Sequence, residues 1–546
     1  MKKILVIIGI IVTTLSSCSN FIEEESLSNV PADETYKTAS GFELLINSDY
    51  ARLKAIYGGD PWLFCAGTDM YAEGRTPEPA GLSQYTILIP SSTGVEQLYN
   101  SCYQQIQSVN KTMYYSALTE QNSNLSTLVG EARFLRANAY FLLVQTYGGV
   151  PIVNDHVTSP ILSFTRNTAE EVYTQIITDL EAALASVGTA AYATNGKVNK
   201  RAVNDLLAKV YLTKGYESFG SAADFTKAAT YAEAAIAGQK LTIAFDQLFK
   251  PGNDLNAETI FSVQYDKNST STSPTTLGNN QFYYFSSYLG GSETKGGAPL
   301  RSYNLCPTGY ALSLYKQGDK RRDATFMTTV YENYYDFFRK PTELATLKIK
   351  HFYEPSWFTA ADRTAKQTEL STRWQTGSNV ANGYHNWGTY SAEYTQTKNI
   401  DYVTIPVKKF DDPELTTPSS TGPVSTRDII VSRLSETYLV AAEAYLKAGD
   451  PATGLARLNE VRKRAGVADA TLAEFDINYI LDERGRELLG EYHRWFDLKR
   501  TGTLVARASA HHYKIKVANF VGVGGALKIL RPIPQQALDL NQNKLG

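Results

Sequence analysis

The sequence predicts a mainly α fold in which helical hairpins at both ends of the chain enclose a long, irregular, loop-rich insertion carrying a few short strands. Three observations predict it. Apolar residues recur at i, i+3, i+4 and i+7 in segments before residue 240 and after residue 429. Between Leu241 and Asp428 that periodicity gives way to a texture dense in Gly, Ser, Thr, Asn and Tyr. A hydrophobic content of 43% over 546 residues supplies a large core and excludes disorder as the main state. The 53 Lys and Arg nearly balance 55 Asp and Glu, so no basic field exists to favour nucleic acid as a partner. Tyr (36) outnumbers Phe (22), giving many rings a polar tip that suits wet clefts.

Residues 1–17 read as a signal peptide. Lys2 and Lys3 precede the apolar run Ile4 to Val12, which ends in small residues. That run stops short of the roughly 20 apolar residues a membrane span needs. The stretch Val517 to Leu530 is broken by Gly522, Gly524 and Gly525. Leu15-Ser16-Ser17-Cys18 resembles a bacterial lipoprotein box, which implies that Cys18 is lipidated and becomes the mature N-terminus. Two or more acyl chains give stable anchoring. Residues 18–40 then form a lipid-anchored tether. Its acidic run Glu23-Glu24-Glu25 resembles the surface-export signal of Bacteroidetes lipoproteins, and as composition it reads as a solvated linker. Cys65, Cys102 and Cys306 remain, enough for one disulfide at most and too few for a multi-cysteine zinc array.

Residues 41–240 read as an N-terminal helical part. Leu128 to Tyr147 carries helical spacing and stops at Gly148-Gly149-Val150-Pro151. Thr168 with Glu171 is a capping-box pattern opening a helix to Val187. Ala202 to Tyr216 and Phe225 to Ala237 form a pair joined by a Gly-Ser turn. Residues 241–428 are the aromatic insertion, in which Ile260 to Val263 reads as a strand. Residues 429–546 return to helix. Arg433 to Lys447 and Pro451 to Arg464, with Gly449-Asp450 between them and Gly466 at the end, have the length of one tetratricopeptide repeat. Ala441, Ala442, Ala444, Gly454 and Ala456 are small where two helices must approach. Such tetratricopeptide-like hairpins bury their faces only by stacking.

Catalytic fingerprints are missing: no HExxH, G-x-S-x-G or Walker A loop occurs. His511-His512 reads as a surface feature, and no metal or cofactor site emerges. Glu131, Glu436, Glu443, Glu487 and Asp497 invite an acid–base reading. Arginines accompany such carboxylates at helical spacing (Arg433/Glu436, Arg484/Glu487, Arg494/Asp497), and a neighbouring arginine lowers a carboxyl pKa, the wrong direction for a general acid. Helix-to-helix ion pairs are the preferred reading, so the chain is read as no enzyme.

The blocks, taken in order, resemble one family. Glu131-Ala132-Arg133-Phe134-Leu135-Arg136, with Tyr140-Phe141 and Tyr147 to Pro151, is similar to the first block of SusD/RagB proteins. Arg433 to Ala444, Leu458 to Gly466, Glu483 to Leu488, Arg494 to Gly502, Pro532 to Pro534 and Asn541 to Asn543 are similar to its later blocks. Gly485 interrupts the usual double-arginine run. The resemblance spans nearly the whole mature chain. It implies a SusD-like fold and a nutrient-uptake lipoprotein of the outer membrane, facing the exterior. It implies capture of oligosaccharide and a SusC-like TonB-dependent barrel transporter as partner. Peptide uptake within the same family, or a surface glycosidase, are the rival functions. A sugar offers an apolar C–H face and a rim of hydroxyls, so flat rings and planar polar groups are the residues to expect at a site. Trp62, Asp69, Tyr71 and Arg75 supply them near Gly67-Thr68-Asp69, a segment similar to one near the family's ligand face. Tyr283, Tyr284, Tyr288, Trp357, Trp374 and Trp387 supply them in the insertion. Trp495 sits in a helical block and reads as core.

Overall fold

A computed structural model describes residues 32–73, 78–190, 195–268, 277–285, 304–332, 344–374, 383–393, 405–412 and 424–543. Its principal N-terminal helices are α1 (Ala39–Tyr57), α2 (Glu96–Ser116), α3 (Leu125–Tyr147), α4 (Ala169–Ser186), α5 (Lys200–Tyr216) and α6 (Ala222–Ile236). Each packs against the next. Local chemistry sets their ends. Thr168 and Glu171 close the capping box at the start of α4, and the Asn199 side chain accepts from Arg201 and Ala202 N–H groups to start α5. α3 is the most enclosed, with Phe134 to Tyr147 buried between α2 and α4.

The C-terminal helices are α7 (Leu434–Ala448), α8 (Pro451–Ala465), α9 (Ile477–Glu487), α10 (Arg494–Arg500) and α11 (Leu504–His511). α7 packs on α6 as well as on α8, so the hairpin stack continues across the insertion as one body. The approach of α8 to α7 requires Gly454: a Cβ there would lie 2.7 Å from the Ala442 carbonyl oxygen. Ala456, by contrast, faces solvent, so its small size does not serve the contact. Gly449 and Gly466 end α7 and α8 in the left-handed conformation, φ 91° and 78°. Gly485 packs against Met70 and Leu314, each 3.2 Å from where a Cβ would stand.

Among the described residues, seven short strands make three small sheets. β1 (Tyr71–Ala72) pairs with β3 (Cys306–Pro307). β2 (Thr259–Val263) pairs antiparallel with β7 (Ile429–Arg433), so the chain leaves the helical stack and returns to it through one ladder. β4 (Thr329–Tyr331), β5 (Ile349–Tyr353) and β6 (Tyr384–His385) form the third, with β5 and β6 parallel. The insertion also holds an 11-residue helix, Ala360–Leu370, capped by Thr359 and Asp362. It buries only Leu370, which is why no apolar periodicity announced it. Cys65, Cys102 and Cys306 are buried. No described helix is long and apolar enough to cross a membrane.

The arginine–carboxylate pairing is real, but its partners differ from the helical-spacing expectation. Arg433 meets Glu487 (2.7 Å) and Glu491 (2.6 Å), not Glu436. Arg484 meets Asp497 at 2.7 Å, and Arg494 meets Asp69 at 2.6 Å. These pairs join different elements because the buried side chains point between helices, where residues distant in sequence are the nearest counter-ions. His512 is a second correction. It is buried beside Glu73, with Nε2 3.6 Å from the carboxylate, while His511 stacks on Tyr310.

Candidate functional site

Parallel pairing of β5 and β6 aligns Tyr353 with His385, so the chain leaves both strands at the same end of the sheet. Trp357 follows one strand and Trp387 the other, and both rings are half-buried. Arg322 connects them. Its guanidinium lies 5.3 Å from the Trp357 ring centre and donates to the Tyr353 carbonyl at 3.2 Å. Tyr390, which also interacts with Arg322, meets Trp387 edge to face at 5.4 Å and donates its hydroxyl to the Glu354 carbonyl. The Glu354 carboxylate accepts from both arms of Arg363 at 2.7 Å and from Tyr384 at 3.1 Å. Beneath the rings, His351 Nδ1 and His385 Nε2 share a 3.0 Å hydrogen bond, and Tyr353 stacks on His385 at 4.5 Å. Burial pushes the two imidazoles down to about 3 and about 4, so the pair stays uncharged near neutrality and stiffens the platform.

A second ring group gathers where α1 ends. Trp62 meets Tyr284 edge to face at 5.2 Å, and Tyr284 meets Tyr283 at 5.3 Å. Asp60, exposed, accepts from the Trp62 indole N–H (3.2 Å) and from the Tyr284 hydroxyl. Only Tyr283 of these rings is half-exposed; Trp62 and Tyr284 are buried.

The remaining candidates separate. Asp69 is fully buried: burial would raise its carboxyl pKa, but Arg494 and Arg507 more than offset that and hold it below its ordinary value. Tyr71 is buried and accepts from the Gly490 N–H at 2.6 Å. Asp69 and Tyr71 are therefore corrected from ligand contacts to internal ties: their polar atoms are consumed between the N-terminal segment and the C-terminal block. Trp374 packs apart from Trp357, against the small cluster of Tyr331, Leu347, Ile349, Phe352 and Leu370. Arg75, Tyr288 and Cys18 lie outside the described residues. Trp495 is core, its indole N–H donating to Tyr85.

Of the carboxylates that invited an acid–base reading, Glu487 and Asp497 are held as anions among arginines, whereas burial raises Glu131. Burial acts to raise Glu483 and Asp497, yet arginines around each bring both down to about 2. Glu487 is lowered as well, against its own burial, by Arg464, Arg433 and Arg321. Arg322, Tyr390 and Asp60 were not singled out from sequence. Arg322 lies in Asp319-Lys320-Arg321-Arg322-Asp323, a charge run that reads as solvated, yet Arg321 is fully buried and Arg322 nearly so. What the geometry offers is the half-buried rings of Trp357 and Trp387 on a buried polar platform, and the Tyr283 ring beside the exposed Asp60 carboxylate, surfaces that suit a polyol with one apolar face.

Two family models match the chain. The SusD family matches residues 257–545, and a family described as starch-binding associating with outer membrane matches residues 20–212. SusD-like protein P2 of Formosa agariphila is 24% identical over 521 residues, 92% of this chain and 91% of that protein. The starch-binding protein SusD of Bacteroides thetaiotaomicron is 25% identical over 480 residues, 83% of this chain and 78% of that protein. Among solved structures, a laminarin-binding SusD-like protein, 22% identical, aligns over 93% of this chain and 98% of its own with a TM-score of 0.68, which shows the same fold.

Proposed function

The chain belongs to the SusD family, and on that premise we propose that it is a glycan-binding lipoprotein of the outer membrane that captures oligosaccharide outside the cell and passes it to a TonB-dependent barrel transporter. Cys18 is the anchor in this reading, and the ligand is bound without being cleaved. The observation that carries the glycan assignment is the placement of half-buried Trp357 and Trp387 just after the aligned ends of parallel strands, with Arg322 packed on the first ring and Tyr390 on the second. Stacking on such rings stabilises the apolar sugar face, while the buried Arg322 guanidinium holds the Trp357 ring in place. Tyr283 and Asp60 offer a smaller ring-and-carboxylate group of the same chemistry. The starch- and laminarin-binding relatives support the same class of ligand. Stripping water from sugar hydroxyls keeps the affinity modest, roughly micromolar or weaker, which suits a protein that hands its cargo onward.

Calorimetric titration of the mature chain with maltohexaose, laminarihexaose and a panel of other neutral oligosaccharides tests the proposal. At least one should bind, Trp357→Ala and Trp387→Ala should each weaken it about tenfold or more, and no reducing sugar should be released. Binding that survives both substitutions unchanged would remove the site from this face.

A further inference from the structure

A larger cleft, of about 1450 Å³, opens between α1, α2, the connection from Pro151 to Arg166 and the helix Gln535–Leu540. It exceeds the typical span of small-molecule sites, about 300–1,000 Å³, and has room for an oligosaccharide. Its charge is one-sided. Arg52, Lys111 and Arg166 line it together with His156, and no Asp or Glu is among the described lining residues. In a chain whose formal charge is −2, such segregation is local. None of the three cations forms an ion pair among the described residues. Arg52 reaches only Gln104 Oε1 at 3.5 Å, Lys111 lies 4.5 Å over the Tyr36 ring, and Arg166 donates to the Gly149 and Tyr147 carbonyls. The Asp49 carboxyl is fully buried outside the lining and accepts from Ser108 and Thr112, although the Arg52 charge acts on it.

The walls complete a saccharide chemistry. Tyr99 and Tyr103, 4.8 Å apart and half-buried, present rings, and Gln104 and Gln107 line the cleft with amides. Guanidinium and ammonium groups outside any described ion pair, set among rings and amides, pair with carboxylate or sulfate substituents of a sugar and gain from charge-assisted hydrogen bonds. We infer that this cleft is a second saccharide site, selective for anionic oligosaccharides, formed by Arg52, Lys111 and Arg166 over the Tyr99–Tyr103 wall. The inference rests on the glycan-binding reading but uses residues apart from Trp357 and Trp387.

The test is calorimetric titration of the mature chain with an oligogalacturonide, its fully methyl-esterified counterpart and a sulfated galactan oligomer. The esterified sugar keeps the ring and loses the charge. At least one anionic oligomer should bind about tenfold or more tighter than the ester, with a preference that shrinks at high salt, and the carboxylated and sulfated arms identify which anion the cleft takes. Arg52→Gln combined with Lys111→Gln should weaken anionic binding at least fivefold, about 1 kcal/mol, while the thermal midpoint and neutral-glycan binding hold. Equal binding of acid and ester would overturn the inference, as would anionic binding lost in Trp357→Ala but kept in the double variant. Tight binding of a polyglutamate peptide without any anionic sugar would overturn it too, giving the cleft to an acidic polypeptide. Neutral binding at the tryptophan pair without anionic binding defeats this inference alone; no saccharide binding of any kind defeats both readings.

Discussion

Arg494 forks across the carboxylate of Asp69 over 425 positions of sequence, Nε to Oδ1 at 2.7 Å and Nη2 to Oδ2 at 2.6 Å. Arg507 adds a third donor to Oδ2 at 3.0 Å, and the Thr308 hydroxyl holds the Asp69 carbonyl. One buried carboxylate thus ties the segment after α1 to α10 and α11, and the same residue's carbonyl ties it to the turn after β3. Removing one partner strands a buried charge, so Arg494→Ala should cost about 3–5 kcal/mol. Arg494→Lys should recover little, because a single ammonium cannot make the forked contact. Urea unfolding reads both variants; a loss for Arg494→Ala smaller than about 1 kcal/mol, the range of an exposed pair, would contradict the assignment.

Trp62 and Trp357 should separate in stability. Trp62 is 7% exposed and packs on Tyr284, so Trp62→Ala should cost about 3–5 kcal/mol. Trp357 is half-buried, and its truncation should cost on the order of 1–2 kcal/mol. Thermal melts beside the sugar titrations distinguish a packing ring from a ligand ring. Comparable losses in both variants would place Trp357 in the core.

Asp49 makes stability fall as pH rises. It is fully buried, and that burial, only partly offset by the Ser108 and Thr112 hydroxyls, pushes its carboxyl up to about 7 from an ordinary 3.8. The folded chain holds this proton more tightly than the unfolded chain, so the stabilisation is full below about pH 4 and is lost as pH climbs through about 7. The slope from this group is about 1.4 kcal/mol per pH unit. Asp428, also pushed up to about 7 by burial, adds a parallel loss. Denaturant melts across that window should therefore show a shallower decline in Asp49→Asn. An unchanged pH profile would rule out Asp49 as the source.

Cys18→Ala should abolish radiolabelled palmitate incorporation and release the chain from the outer-membrane fraction, since one signal-borne cysteine is the only acyl acceptor the lipobox reading provides. Undiminished labelling would end that reading.

Local chemistry was legible in the sequence wherever neighbours along the chain perform it. Thr168 with Glu171, Gly449 and Gly466 mark helix ends through contacts within a few residues, and the structure places the ends there. The strand at Ile260 was legible through its short apolar run, although its partner, β7, lies far along the chain. The excess of arginine beside carboxylate was likewise visible, and with it the argument against a general acid. The order of the blocks carried the resemblance to the family, which the family-model match bears out.

Partnership and exposure were decided only by tertiary structure. Arg494 sits three residues from Asp497 in sequence, yet it pairs with Asp69, because α10 turns its buried face toward the N-terminal segment. Trp62, Trp357 and Trp387 are the same residue type in similar aromatic surroundings, and composition cannot rank them. Trp62 is enclosed by Tyr284, whereas Trp357 and Trp387 emerge together because β5 and β6 happen to run parallel. The cationic cleft draws its residues from α1, α2, a connection and the C-terminal helix. No periodicity links those segments. Charge balance along the chain averages them away, and their shared field exists only because the folded backbone brings them to one cleft whose described lining holds no Asp or Glu.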